Sequence, residues 1–258
     1  MLARARHLQA LLLPHGALDV VRQIVLFSTA YWGYRLVRGQ VDGKAAESFQ
    51  NARELISVER ATHLFVEPAV QAWATGQAWL IGSASWIYVN AQATVTVGAL
   101  LFIYLIHNRS FYFVRNMLMV AMGMALVGYA LFPTAPPRFL PEWGFVDSVS
   151  SRTGMSQDSV AINALFNPFA AVPSMHVAFA LMLGWPLARL VNHPVVKAMW
   201  VTYPVLITFV VVATANHFLV DALLGGLVAA ASAWAAGRLG QARPGVWAFR
   251  RAGAEATA

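Results

Sequence analysis

Long apolar stretches, separated by short charged segments, limit this chain to very few folds. Of its 258 residues, 59% are hydrophobic and only 11% are charged. A soluble domain carries roughly 25% charged residues. So few charges cannot cover a soluble protein of this size, so the chain reads as an integral membrane protein. A bilayer core of about 30 Å takes roughly 20 apolar residues in a helix. Segments at about 20–37, 84–106, 112–132, 175–191, 196–214 and 218–236 predict six spanning helices. The expected fold is all-α, a six-helix bundle forming one membrane domain over 1–258.

The segments between the spans have their own signatures. Near 51–80, Leu55, Ile56, Leu64, Phe65 and Val70 interleave with Arg53, Glu54, Glu59, Arg60 and Glu67. This pattern predicts an amphipathic interfacial helix between spans one and two, followed by a Trp-rich turn. A surface helix in a long loop fits it equally well. Residues 133–173 are rich in Pro, Gly, Ser and Asn and predict a long irregular loop, long enough to act as a lid. The tail from about 239 is basic and reads as solvated or lying on lipid. At the other end, Arg4 and Arg6 precede a short apolar run stopped by Pro14, with no small-residue cleavage site. That run reads as a cytoplasmic or interfacial stub.

Charge gives the direction of the spans. The formal charge is +7, and a basic balance can signal nucleic acid. Here the basic residues sit between and beyond the apolar segments, which fits topology signals, and no nucleic-acid partner is expected. With a cytoplasmic N-terminus, every inside segment is basic and only Asp19 and Glu255 are acidic there. The positive-inside rule then puts both termini in the cytoplasm. Arg109 and Arg115, at the inner start of span three, read as topology determinants. Span three ends outside in Pro133-Thr134-Ala135-Pro136-Pro137-Arg138. Span four starts outside after Pro173-Ser174-Met175-His176, and span six after Asn216-His217. Motifs far apart in sequence therefore meet at one extracytoplasmic face, where loop 133–173 also lies.

The residue types at that face suit phosphoryl transfer. Asp221 follows His217 by four residues, one helical turn on the same face. Its carboxylate can fix the His217 tautomer and leave the second ring nitrogen as a nucleophile. A purely structural His–Asp pair would look the same in sequence. His176 at a helix start is placed to protonate a leaving oxygen. Ser174 can cap that helix, whose first N–H groups favour an anion. Arg138 can hold phosphate through its planar fork, or it can snorkel to the headgroups. Asn216 can cap span six or bind a substrate oxygen. The chain has no cysteine and no His-Glu-x-x-His pattern. No metal site and no cofactor are expected.

These motifs resemble the type 2 phosphatidic acid phosphatase superfamily over spans three to six. That family has a six-helix membrane core, a Pro-Ser-x-His motif matched by Pro173–His176, and a His-x-x-x-Asp motif matched by His217 and Asp221. The resemblance implies His217 as nucleophile, Asp221 as its orienter and His176 as general acid. The family's Lys-x6-Arg-Pro motif is absent, since the only lysines are Lys44 and Lys197. Val211 stands where the family has an arginine six residues before the histidine. The Pro-Thr-Ala-Pro-Pro-Arg stretch instead looks like the branch of inositol phosphorylceramide synthases and their bacterial relatives, which implies the bacterial inner membrane. A lipid phosphatase working through a phosphohistidine is the expected activity. The alternatives are a phosphotransferase that passes a phospho-headgroup such as phosphoinositol to an alcohol acceptor, and a non-catalytic headgroup binder or transporter. In each case a membrane lipid is the partner.

Overall fold

A computed structural model describes residues 16–39, 45–153 and 169–247. The described residues are helical and contain no strand, only an isolated bridge between Thr134 and Ala170. The helices are α1 (Ala17–Gly39), α2 (Ala45–Ala61), α3 (Glu67–Thr75), α4 (Ala78–Ile106), α5 (Asn108–Leu131), α6 (Ser148–Thr153), α7 (Met175–Leu190), α8 (Pro194–Ala213), α9 (Leu219–Ala242) and α10 (Pro244–Trp247). Two 3-10 turns, Pro137–Phe139 and Pro141–Trp143, follow α5.

Four helices, α4, α5, α8 and α9, are long and apolar enough to cross a membrane. Their outward faces expose Leu101, Val127, Val205, Leu227 and Trp234, side chains better matched to lipid than to water. The segment expected as span one forms α1, but Asp19, Arg22, Arg35 and Arg38 lower its apolar character. The segment expected as span four forms α7, which is apolar but only 16 residues long. At about 1.5 Å per residue it falls short of a full bilayer crossing. Central in the bundle is α5, which packs on α1, α4, α7 and α9. Just over half of its most apolar window is buried, against a third or less in the other three helices. Its inner residues Phe111, Leu118, Met122, Ala125 and Tyr129 join the main core with Met175, Met182 and Leu187 of α7.

The segment near 51–80 is two helices rather than one. A turn at residues 62–66, with His63 at φ 58°, separates α2 from α3. Ala52, Leu55 and Ile56 pack under a cap made of Ala135, Leu140, Phe145, Val172, Ala215 and Phe218. Glu59 and Glu67, expected on a polar face, are fully buried. The 133–173 segment is largely ordered where it is described. Thr134 N–H bonds the Phe169 carbonyl (2.8 Å), Ala135 N–H the Ser48 carbonyl (3.0 Å), and Asp147 Oδ1 caps α6 through the Val149 and Ser150 N–H groups. Residues 154–168, part of the 133–173 loop expected as a lid, lie outside the described residues, as do the N-terminal stub and 248–258.

The tail expected from 239 as solvated or lying on lipid is helical to Ala242 and exposed over 241–246, and the Trp247 carbonyl is held by Arg115 and Asn116 side chains at 2.9 Å each. Arg109 is exposed, as a topology signal should be, but Arg115 is buried at 1% exposure. Its guanidinium bonds the Gln23 side chain, and Gln23 in turn donates to Asp19.

Candidate active site

Pro173 and Ser174 are gripped between α5 and α9. A Cβ on Gly128 would lie 2.7 Å from Pro173 Cδ, and one on Gly225 would lie 2.4 Å from the Ser174 carbonyl oxygen. Only glycine permits both approaches. The Ser174 N–H donates to the Asp221 carbonyl at 3.0 Å, and the Ala178 N–H returns to the Ser174 carbonyl at 3.1 Å. Ser174 has extended N-cap backbone, but its hydroxyl makes no cap bond; it is buried and has no partner. The Ser174 N–H expected to face an anion is thus already used.

This seat brings the two histidines together. The rings of His176 and His217 are 5.6 Å apart between centroids, edge to face at 61°. Tyr88 of α4 stacks on His176 at 4.5 Å and 27°. Below His176 runs a narrow cavity lined by Tyr88, Gln92 and Thr96 of α4, Phe179 and Leu183 of α7, and Tyr203 of α8. Tyr88, Gln92 and Thr96 recur every four residues, so they form one stripe down the helix. Val211 also lines this cavity. The position that carries arginine in the resembling family is therefore part of an apolar wall here.

His217 sits on a sharp reversal between α8 and α9. Ala215 adopts φ 50°, and the Val211 carbonyl accepts the Asn216 and His217 N–H groups at 3.0 and 3.2 Å. His217 Nδ1 lies 3.4 Å from Asp221 Oδ2, a long contact. The same Oδ2 accepts the Phe218 N–H at 2.9 Å, so Asp221 both faces the imidazole and caps its own helix. With Nδ1 toward Asp221, Nε2 is on the far side of the ring from that carboxylate.

Arg138 reaches the same loop. Its N–H donates to the Ala215 carbonyl at 2.8 Å, and its guanidinium bonds Asn216 Oδ1. Arg138 Nε also lies 3.8 Å from Asp147 Oδ2, and the guanidinium carbon stands 4.7 Å over the Phe139 ring. Asn216 spends its amide nitrogen on Thr214, on the carbonyl at 3.2 Å and the hydroxyl at 2.8 Å. Asn216 thus holds Arg138 beside His217 and does not cap α9, whose N-cap is Phe218. His176, His217, Asp221, Arg138, Asn216 and Ser174 all meet at one end of the bundle.

Three residues at this end were not anticipated from the sequence. Glu67 Oε1 accepts the Leu219 N–H at 2.7 Å, and Glu59 Oε1 accepts the Val220 N–H at 2.8 Å. Two buried carboxylates from α2 and α3 therefore close the first turn of α9. Burial, opposed by the Val220 N–H and reinforced by the Glu67 and Asp221 charges, pushes the Glu59 carboxyl from 4.5 up to about 8. The third is Tyr88, whose clue was the polar stripe it shares with Gln92 and Thr96 in an apolar span.

A family model of the PAP2 superfamily matches residues 53–235. The chain belongs to the PAP2 superfamily. Neither a curated protein nor a solved structure matches it. The matched stretch runs from α2 to α9 and takes in every site residue named above, including Glu59 and Glu67. This superfamily generally includes phosphatases, and the apolar helices fit a membrane-bound member.

Proposed function

We propose that this PAP2 superfamily member is a lipid phosphatase of the cell membrane that works through a phosphohistidine. In this reading the chain is one membrane domain with both termini in the cytoplasm. Helix α1 and the short α7 complete a six-helix arrangement with α4, α5, α8 and α9. The α2–α3 pair lies at the outer interface, and both histidines face the extracytoplasmic side, as the charge bias of the segments favours. The observation that carries the chemistry is the 5.6 Å approach of the two imidazoles, with Asp221 behind one of them.

A lipid phosphate enters with its phosphorus beside the two rings. Arg138, held by Asn216, faces nonbridging oxygens. Nε2 of His217 attacks phosphorus in line, and the bond to the leaving oxygen breaks. His176 gives that oxygen its proton. The cationic imidazole bearing phosphorus is stabilised by Asp221. Neutral His176 then takes a proton from water, whose oxygen attacks phosphorus, and the nitrogen–phosphorus bond breaks. An alcohol in place of water turns the same cycle into headgroup transfer, the second reading, favoured by the Pro-Thr-Ala-Pro-Pro-Arg stretch. Charge stabilisation in this scheme comes from Arg138 and the backbone, without a metal.

The test is phosphate release from a panel of lipid phosphates in detergent, with and without alcohols such as inositol. Wild-type protein should turn over at least one lipid, and His217→Ala should lose about 10⁴-fold or more. Full activity in His217→Ala would sink the mechanism. Lipid transport in vesicles without phosphate release would favour a binder or transporter instead. The chain has no cysteine, so single introduced cysteines can map sidedness directly. One near Glu142 should label from outside intact cells, and one near His193 only after permeabilisation.

A further inference from the structure

Three carboxylates converge on the first turn of α9, and the catalytic scheme uses only one. Asp221, Glu67 and Glu59 take the successive N–H groups of Phe218, Leu219 and Val220 at 2.9, 2.7 and 2.8 Å. All three side chains are fully buried. Each spends one oxygen on the helix, and the other oxygens, Asp221 Oδ1, Glu67 Oε2 and Glu59 Oε2, have no donor. Buried acceptors without donors are costly, and adjacent buried carboxylates do not all ionise. Glu59 and Glu67 are within side-chain hydrogen-bonding reach of each other. One proton between them supplies the missing donor and removes one charge.

Among the described residues, no ion pair joins Glu59 or Glu67 to a basic side chain. The charges acting on Glu59 are Glu67 from α3 and Asp221 from α9. On its own helix, Arg60 lies over the Trp143 ring at 5.6 Å. On the 137–147 segment, Arg138 faces Asp147 at 3.8 Å, and Glu142 faces Arg53 at 3.3 Å. His217 is directed at Asp221.

We propose that Glu59 and Glu67 are positioning residues for the His217–Asp221 pair, sharing one proton while they clamp the first turn of α9, and that losing this proton shuts the site down at alkaline pH. The inference rests on the phosphoryl-transfer reading only for its effect on turnover. Deprotonation leaves two like charges side by side against one helix end. They repel each other, release the Leu219 and Val220 N–H groups and loosen the turn that carries Asp221. They also add negative charge behind a site that must accept a phosphate anion. The raised affinity of Glu59 for its proton fits this arrangement, with loss centred near pH 8. The clamp also means that these three N–H groups are not a phosphate site.

Glu59→Gln mimics the protonated state. Its amide oxygen can accept the Val220 N–H, and its amide N–H can donate to Glu67 at any pH. Two measurements on the full chain in detergent test the idea. Infrared spectra of wild-type protein at neutral pH should show the carbonyl stretch of a protonated carboxylic acid, fading as pH rises through about 8. That band should be absent in Glu59→Gln and in Glu67→Gln. In lipid-phosphate turnover, the alkaline limb of the wild-type pH profile should move up by about one unit or more in Glu59→Gln. Glu59→Ala should be impaired at every pH, with Gln restoring most of the loss.

A wild-type protein without the band overturns the shared proton, and no variant is needed to see it. An alkaline limb unmoved by Glu59→Gln in an active enzyme overturns the link to catalysis and leaves the phosphatase reading standing. A band that titrates and disappears in Glu59→Gln, in a protein that turns over no lipid phosphate, supports the proton pair and rejects the phosphatase reading.

Discussion

Two buried polar clusters sit at opposite ends of the bundle, and they are built on opposite rules. At one end Asp19 is saturated. Its Oδ2 accepts the hydroxyls of Tyr104 and Tyr112 at 2.9 and 3.1 Å, and its Oδ1 accepts Gln23 at 2.9 Å. Arg115 and Asn116 extend this network to the Trp247 carbonyl. None of Asp19, Gln23, Arg115 and Asn116 leaves a buried side-chain atom without a partner. At the other end Asp221, Glu59, Glu67 and Ser174 each leave a buried oxygen unsatisfied. Helices α5 and α9 connect the two ends, so the same bundle carries both. A satisfied network fixes structure. An unsatisfied one is costly, and where it gathers titratable groups it makes a candidate for chemistry.

That contrast predicts opposite mutant behaviour. Asp221→Asn should keep the fold but lower turnover by about 10³–10⁴-fold, because the imidazole loses the charge that supports its cationic intermediate. Steady-state kinetics alongside thermal unfolding in detergent checks both halves. Asp19→Ala should do the reverse. It strands two tyrosine hydroxyls and an amide and should cost about 3 kcal/mol or more of stability. Turnover per folded molecule should hardly change. If Asp19→Ala abolished turnover in folded protein, the division between the two ends would fail.

Gly225→Ala probes the seam between fold and site. Its new Cβ would press on the Ser174 carbonyl, and the helix start carrying His176 would have to move. A shift near 1 Å should cost about 10²-fold in turnover. Gly240→Ala, with nothing within 4 Å, should be neutral by both measures. A smaller effect belongs to Tyr88. Removing its ring from His176 as Tyr88→Leu should cost about tenfold or less in turnover, while Tyr88→Phe keeps the stack.

That the candidate site residues meet at one end of the bundle was legible in the sequence because their signals are local. His217 and Asp221 are one turn apart, and Pro173–His176 and Pro133–Arg138 are each continuous, so reading the spans sufficed to bring them together. The glutamates were hidden because burial is not local. Glu59 lies among Arg53, Glu54 and Arg60, which reads as a wet face. Only the break at 62–66, followed by Glu67-Pro68 at a helix start, swings both acids under α9. Arg115 misled for the same reason: from sequence it matches the exposed Arg109, and only the fold shows that it is enclosed. Spans one and four stand apart from the other four, whose helices are long and apolar enough to cross a membrane. Asp19 and Arg35 are buried polar residues of α1, and α7 stops at Leu190.

The smallest effect concerns stability rather than rate, and its sign separates the two ends once more. Glu59 rises from 4.5 to about 8 on folding. Between those values the folded chain binds more protons at this position than the unfolded chain does. Linkage then requires stability to fall as pH rises through that window and to level off above it. The cost is fully absent below the lower value and fully present above the upper one. Other carboxylates titrate at the acid end, so the informative quantity is the difference between wild type and Glu59→Gln. The unfolding midpoint of wild type relative to Glu59→Gln should fall across the window. Asp19→Ala should lower the midpoint without altering that pH-dependent difference, because its cluster shares no proton with Glu59. A pH-dependent difference that vanished in the Asp19→Ala background would mean that the two ends unfold as one coupled polar system, and that satisfied and unsatisfied networks cannot be assigned separate roles.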